Sequence, residues 1–160
     1  MKHMNSKFKQ RYQTGFSLVE VLIALVIMSV GMLGIAGLYV QSMQAGRTSM
    51  LRHHAVNLAG DVADRIRANP RAAIAYIDPV GADNNCVLGT VDCTPAQMAA
   101  NDILLWKAQA SENLPGGDVT VVFTAANGFT PPNYQITVSW TEPGQVPTPT
   151  YVINVPVLGI

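Results

Sequence analysis

The chain has 160 residues and no formal net charge, a length that prior expectation assigns to one domain of modest core. The balance hides an asymmetry: residues 1–15 carry Lys2, Lys7, Lys9 and Arg11 with no acid, and everything after them is net acidic. Few bases outside the leader argue against a nucleic-acid partner, and no residue spacing matches a nucleophile with its base, a metalloprotease motif or an EF-hand.

The first element in chain order is apolar. Between Phe16 and Val40 the only charge is Glu20. At ~1.5 Å per residue those 25 positions span ~37 Å as a helix, longer than the ~30 Å hydrocarbon core of a bilayer. The run is too long for a cleaved secretory h-region, and its basic head sets the N-terminus in the cytoplasm. A plain signal anchor leaves Glu20 unexplained, since a charge near the bilayer centre costs at least ~2.5–3.5 kcal/mol. It also leaves unexplained why Gly15 stands between head and run.

The order of features in "G-F-S-L-V-E", after a basic leader and before an apolar run, resembles the signal of type IV prepilins and type II secretion pseudopilins. The resemblance implies cleavage by a prepilin peptidase between Gly15 and Phe16, N-methylation of Phe16, and a filament in which Glu20 meets the Phe16 amine of a neighbour. "DVADRIRAN" (61–69), the cysteine pair, "CTPAQMAANDILLWK" (93–107) and "LPGG" (114–117) are similar to PilV-like minor pilins, the type IV pilus modification proteins. This implies a type IV pilin fold of class α+β: a long N-terminal helix packed on a small domain with a second helix and a 3–4-stranded antiparallel sheet. The implied divisions are a cleaved leader 1–15, a transmembrane or filament-core half 16–40, and a head 41–160 that includes the amphipathic half-helix 41–69. The implied partners are the peptidase, other minor pilins, the major pilin, an inner-membrane assembly platform and a tip adhesin. Fibres of this kind serve motility, adhesion and DNA uptake. No cofactor or enzymatic activity is expected. The alternatives are a minor pseudopilin of type II secretion and a signal-anchored periplasmic enzyme.

Beyond Val40 the pattern turns amphipathic. Leu51, Ala55, Leu58, Val62 and Ile66 form one helical stripe, and the helix is expected to run from about 17 to 68, ending before Asn69–Pro70. Gly31, Gly34 and Gly37 weaken its apolar half. They are either tolerated small residues in a membrane helix or a segment that bends or melts when a subunit leaves the bilayer. Asp61 with Arg65 and Asp64 with Arg67 have the spacing and order of helix-face ion pairs. They fit either a solvated face or a contact with neighbouring subunits or the domain's own loops.

Residues 78–95 read as a turn-rich loop holding Cys86 and Cys93. Two cysteines in a translocated domain read as a disulfide, with free thiols the alternative; His53 and His54, adjacent on a helix, cannot both join them at a metal. Asp78, Asp83, Asn84, Asn85 and Asp92 read as solvated loop residues rather than calcium ligands. A second helix starts at Thr94, with Pro95 at its first position and Gln97 completing a capping box. Met98, Ile103, Leu105 and Trp106 give it an apolar surface, and "NLPGG" ends it. Three strands are expected at 119–125, 134–142 and 150–158. The second should bury Tyr134, Ile136, Val138 and Trp140 on one face, and Pro156 places the third at an edge or ends it.

Overall fold

The computed structural model describes residues 15–77, 80–87, 91–127 and 131–157; the basic leader before Gly15, and Asp78, lie outside them. Helix α1 runs from Leu18 to Ala68, within a residue of the expected limits and unbroken through Gly31, Gly34 and Gly37. The chain divides into two compact units, Met1–Gln44 and Ala45–Ile160.

In the first unit every described residue is exposed. Among the described residues one helix, α1, is long and apolar enough to cross a membrane. Its apolar side chains from Leu18 to Tyr39 are exposed among the described residues, and in water such a surface cannot stay bare.

The second unit is closed. The rest of α1 buries Leu51, Ala55, Leu58, Val62 and Ile66, together with Ala59 and Ala63, so the stripe read from the sequence is the core-facing one. After Ala68 the chain enters a short 3-10 helix, Pro70–Tyr76, which the sequence reading left unassigned. Helix α2 (Pro95–Asn113) opens on the expected capping box: Gln97 N–H donates to the Thr94 hydroxyl, and the Gln97 side chain accepts from the Thr94 N–H. It buries Ile103, Trp106 and Ala110, while Met98 and Leu105 are half-buried. The turn that ends it needs glycine twice. Gly116 has φ +59°, and a Cβ on Gly117 would lie 2.3 Å from the Ala110 carbonyl oxygen.

Three strands follow: β1 (Asp118–Thr124), β2 (Asn133–Ser139) and β3 (Thr150–Pro156). They form one antiparallel sheet in the order β1-β2-β3. The register sets Val121 opposite Ile136 and Ile136 opposite Ile153, on the face turned to the core. Tyr134, Ile136 and Val138 are buried, and so is Trp140, although β2 stops at Ser139 and Trp140 belongs to the connection. β3 is an edge strand and ends at Pro156, where a missing N–H cannot continue a ladder.

Candidate functional site

The residues singled out in the sequence fall into two places. The first is the entry to α1. The Ser17 carbonyl accepts from the N–H groups of Glu20 and Val21 at 3.0 and 3.3 Å, so the helix begins just after Phe16, whose side chain is 85 % exposed. Glu20 lies in the first turn. There a carboxylate favours the helix dipole by only ~0.3–1 kcal/mol, below the ~2.5–3.5 kcal/mol that a charge costs at the centre of a bilayer-spanning helix. Local helix stabilisation therefore does not account for an acid at this position in a bilayer; a cationic partner would.

The second place is in the head, where α1 meets α2. Asp61 and Arg65, one turn apart, both reach toward α2. Arg65 Nε lies 3.2 Å from Asp61 Oδ2, and its Nη1 lies 2.8 Å from Oδ1 of Asp102. The indole N–H of Trp106 donates to Asp61 Oδ2 at 3.2 Å. Asp102 is 2 % exposed, and its other oxygen accepts from the Tyr76 hydroxyl at 3.1 Å. Asn69 donates to that hydroxyl and to the Pro95 carbonyl, and the rings of Tyr76 and Trp106 stack with centroids 5.7 Å apart. A buried carboxylate is tolerable only when both oxygens are engaged, and here they are.

Burial of the Arg65 guanidinium works against its charge. The hydrogen bond to Asp102 and the charges of Asp61 and Asp102 outweigh it, so its pKa stands above the ordinary value. Burial pushes the Tyr76 phenol well above its usual range; the hydrogen bond from Asn69 opposes this, and the Asp102 charge adds to it.

The outcome splits the four charged residues. Asp61 and Arg65 tie α1 to α2, whereas Asp64 and Arg67 pair at 2.9 Å with 78 % and 54 % of their side chains exposed. Only the second pair is a solvated face. Asp102 and Tyr76 have no reading in the sequence, and Asn69 only one as the end of the long helix, although a signal exists. Asn101 and Asp102 sit between Met98 and Leu105–Trp106 at the spacing of the apolar stripe, and a polar pair on such a stripe announces a buried polar contact.

Cys86 and Cys93 are joined, with Cα atoms 5.8 Å apart, so neither is a thiolate available to a metal. His53 is exposed and His54 half-buried on α1. The chain before the disulfide lies along α2. Ala82 N–H donates to the Ala100 carbonyl, and Asn84 N–H to the Asn101 side chain. The Asn84 amide donates to the Gln97 carbonyl. A Cβ on Gly81 would come within 2.6 Å of the Leu104 backbone, so only glycine permits this approach. Asp83 accepts from Asn85 N–H at 2.9 Å, and Asp92 is exposed.

Two family models match the chain. The model described as prokaryotic N-terminal methylation motif covers residues 10–36, which contain Gly15, Phe16 and Glu20. The model described as type IV pilin Tt1218 covers residues 37–104, the rest of α1, the disulfide loop and the start of α2. No curated protein and no solved structure matches.

Proposed function

We propose that this chain, a type IV pilin with a prepilin signal, is a PilV-like minor subunit of a type IV pilus that helps prime assembly and is built into the fibre or its tip. The pilin family is structural and non-enzymatic. Its methylation motif implies processing by a prepilin peptidase and assembly with other pilins. The observation that carries the proposal is the first half of α1: an apolar helix exposed among the described residues, interrupted by one carboxylate and preceded by Gly15–Phe16.

The peptidase would cut between Gly15 and Phe16 and methylate the new amine. Before assembly the apolar half would hold the prepilin in the inner membrane, N-terminus in the cytoplasm. After it, the same surface would pack among neighbouring helices in the fibre core, Glu20 meeting the Phe16 amine of an adjacent subunit. An α-amine has a reference pKa of ~8 and is mostly cationic at neutral pH, so the pair would neutralise two charges that the apolar core otherwise penalises. The assembly platform, the other minor pilins, the major pilin and a tip adhesin are the partners in this scheme, with motility, adhesion and DNA uptake the activities of the finished fibre.

Mass spectrometry of fibres sheared from cells tests the proposal. It should find a peptide beginning at N-methylated Phe16, at a small fraction of the major subunit's abundance. A chain abundant in the fibre would be a major pilin. One confined beneath the outer membrane would be a pseudopilin, and one retaining its leader would be neither.

A further inference from the structure

A groove of about 450 Å³ opens in the head between α1 and the start of β3. Arg52 and Val56 of α1 line it on one side, Thr150 and Tyr151 of β3 on the other, with Trp140 and Gln145 from the connection between β2 and β3. The connection is fixed to α1 by Glu142, whose two oxygens accept from the Thr48 hydroxyl at 3.0 Å and the Trp140 indole at 2.9 Å. That carboxylate is therefore committed. Arg52 is exposed and has no ion pair or hydrogen bond among the described residues, and no acid occurs on α1 between Glu20 and Asp61.

Beside the groove runs the β3 edge of the sheet. β3 is hydrogen-bonded to β2 on one side, and its seven residues, TYVINVP, carry no charge. Exposed edges are normally blunted by charge, bulge or proline; here only Pro156, at the far end, does so. The near end, Thr150–Tyr151, is left open next to an unpaired guanidinium.

We propose that this groove and the β3 edge form a docking surface for an extended segment of a neighbouring pilin head that presents a carboxylate to Arg52. Main-chain hydrogen bonds to the edge would hold the segment. An alternate side chain would enter between Val56 and Tyr151, and the carboxylate would meet the guanidinium in the paired geometry that arginine favours. The inference rests on the reading of the chain as a pilus subunit and names the chemistry of its partner.

A photo-crosslinking amino acid in place of Gln145, in full-length chain expressed in piliated cells, tests it, with the cross-linked peptide identified by mass spectrometry. The expected product joins Gln145 to a head segment of another pilin, or of a second copy of this chain, that contains Asp or Glu. Arg52→Glu should lower the yield at least tenfold, Arg52→Lys should keep most of it, and an arginine replacing the partner's acid should restore it to Arg52→Glu. Cross-links only to lipid or within the same chain would overturn the proposal, as would an undiminished yield in Arg52→Glu. Wild-type chain is quantified in fibres from the same cells. Its absence there counts against the pilus reading; its presence with an indifferent Arg52→Glu counts against the docking surface alone.

Discussion

Between Leu18 and Gln44 helix α1 exposes every side chain, whereas between Ala45 and Ala68 it buries seven. The two stretches are one helix with two solvents. The second has found its apolar partners in α2 and the sheet, so its fold is complete within the chain. The first is more apolar and has none among the described residues, and under the proposed function its partner comes from outside the chain. The difference shows that burial within one chain identifies what makes the second unit stable. Exposed apolar surface identifies what, under the proposed function, makes it a subunit.

Changes in the two stretches should therefore separate cleanly. The largest effect in the head is expected from Trp106→Ala, which removes a 1 % exposed indole, its stack on Tyr76 and its hydrogen bond to Asp61. A loss of about 3–5 kcal/mol follows from cavity formation, read by thermal melting of the head, while cleavage after Gly15 should be unchanged. If Trp106→Ala blocked processing, head and anchor would not be separable.

Asp102→Asn comes next. It keeps the shape but removes the charge opposite Arg65, whose side chain is 38 % exposed. The cost should be about 2 kcal/mol, below the ~3–5 kcal/mol of a fully buried pair because water still reaches the guanidinium. Chemical denaturation measures it, and a neutral result would mean that Arg65 contributes through its alkyl packing alone.

Cys93→Ser should cost about 2 kcal/mol, as the disulfide closes a short loop. The preceding chain should remain on α2 through Ala82, Asn84 and Gly81, so hydrogen exchange at Ala82 should stay slow while the melting temperature falls roughly 5–10 °C. Rapid exchange there would show that the disulfide, not the hydrogen bonds, holds the chain in place.

The smallest effect is on pH dependence. Tyr76 has its folded-state pKa raised above the ordinary 10.0, so its contribution is fully present below that pH and is lost as pH rises through the folded value. Tyr76→Phe should lower stability slightly at neutral pH and flatten the alkaline limb. Tyr134, raised by burial as well, should leave a residual slope. An unchanged alkaline limb would remove Tyr76 from the linkage.

How much of this was legible in the sequence depends on the range of the interactions. The Thr94–Gln97 capping box, the stripe from Leu51 to Ile66, the alternation in β2 and the stop at Pro156 are local patterns, and the structure repeats them. The Arg65–Asp102 bond spans 37 positions, so the place of Asp102 on the α2 stripe signals a buried polar contact but not its partner. The 3-10 helix Pro70–Tyr76 is too short to be fixed by propensity and takes its place because Tyr76 is buried against Trp106. The chain before the disulfide reads as loop because its hydrogen bonds go to α2 rather than to a regular neighbour. At the entry to α1 the situation reverses. Gly15, Phe16 and Glu20 are plain in the sequence because their order matches a processing signal, while the described residues of one chain give Glu20 no cationic partner to reveal its purpose.

The most direct test is therefore the fibre share of Glu20→Gln and Glu20→Ala, measured against total membrane protein. If the carboxylate meets the Phe16 amine of a neighbour, both variants should be cleaved after Gly15 and should leave the head's melting temperature unchanged. Both should also be depleted from sheared fibres. A buried charge left unpaired costs ~3–5 kcal/mol, which corresponds to a depletion of roughly a hundred-fold to several thousand-fold. An equal fibre share for wild type and both variants would contradict the pairing and leave Glu20 as a carboxylate that the membrane merely tolerates.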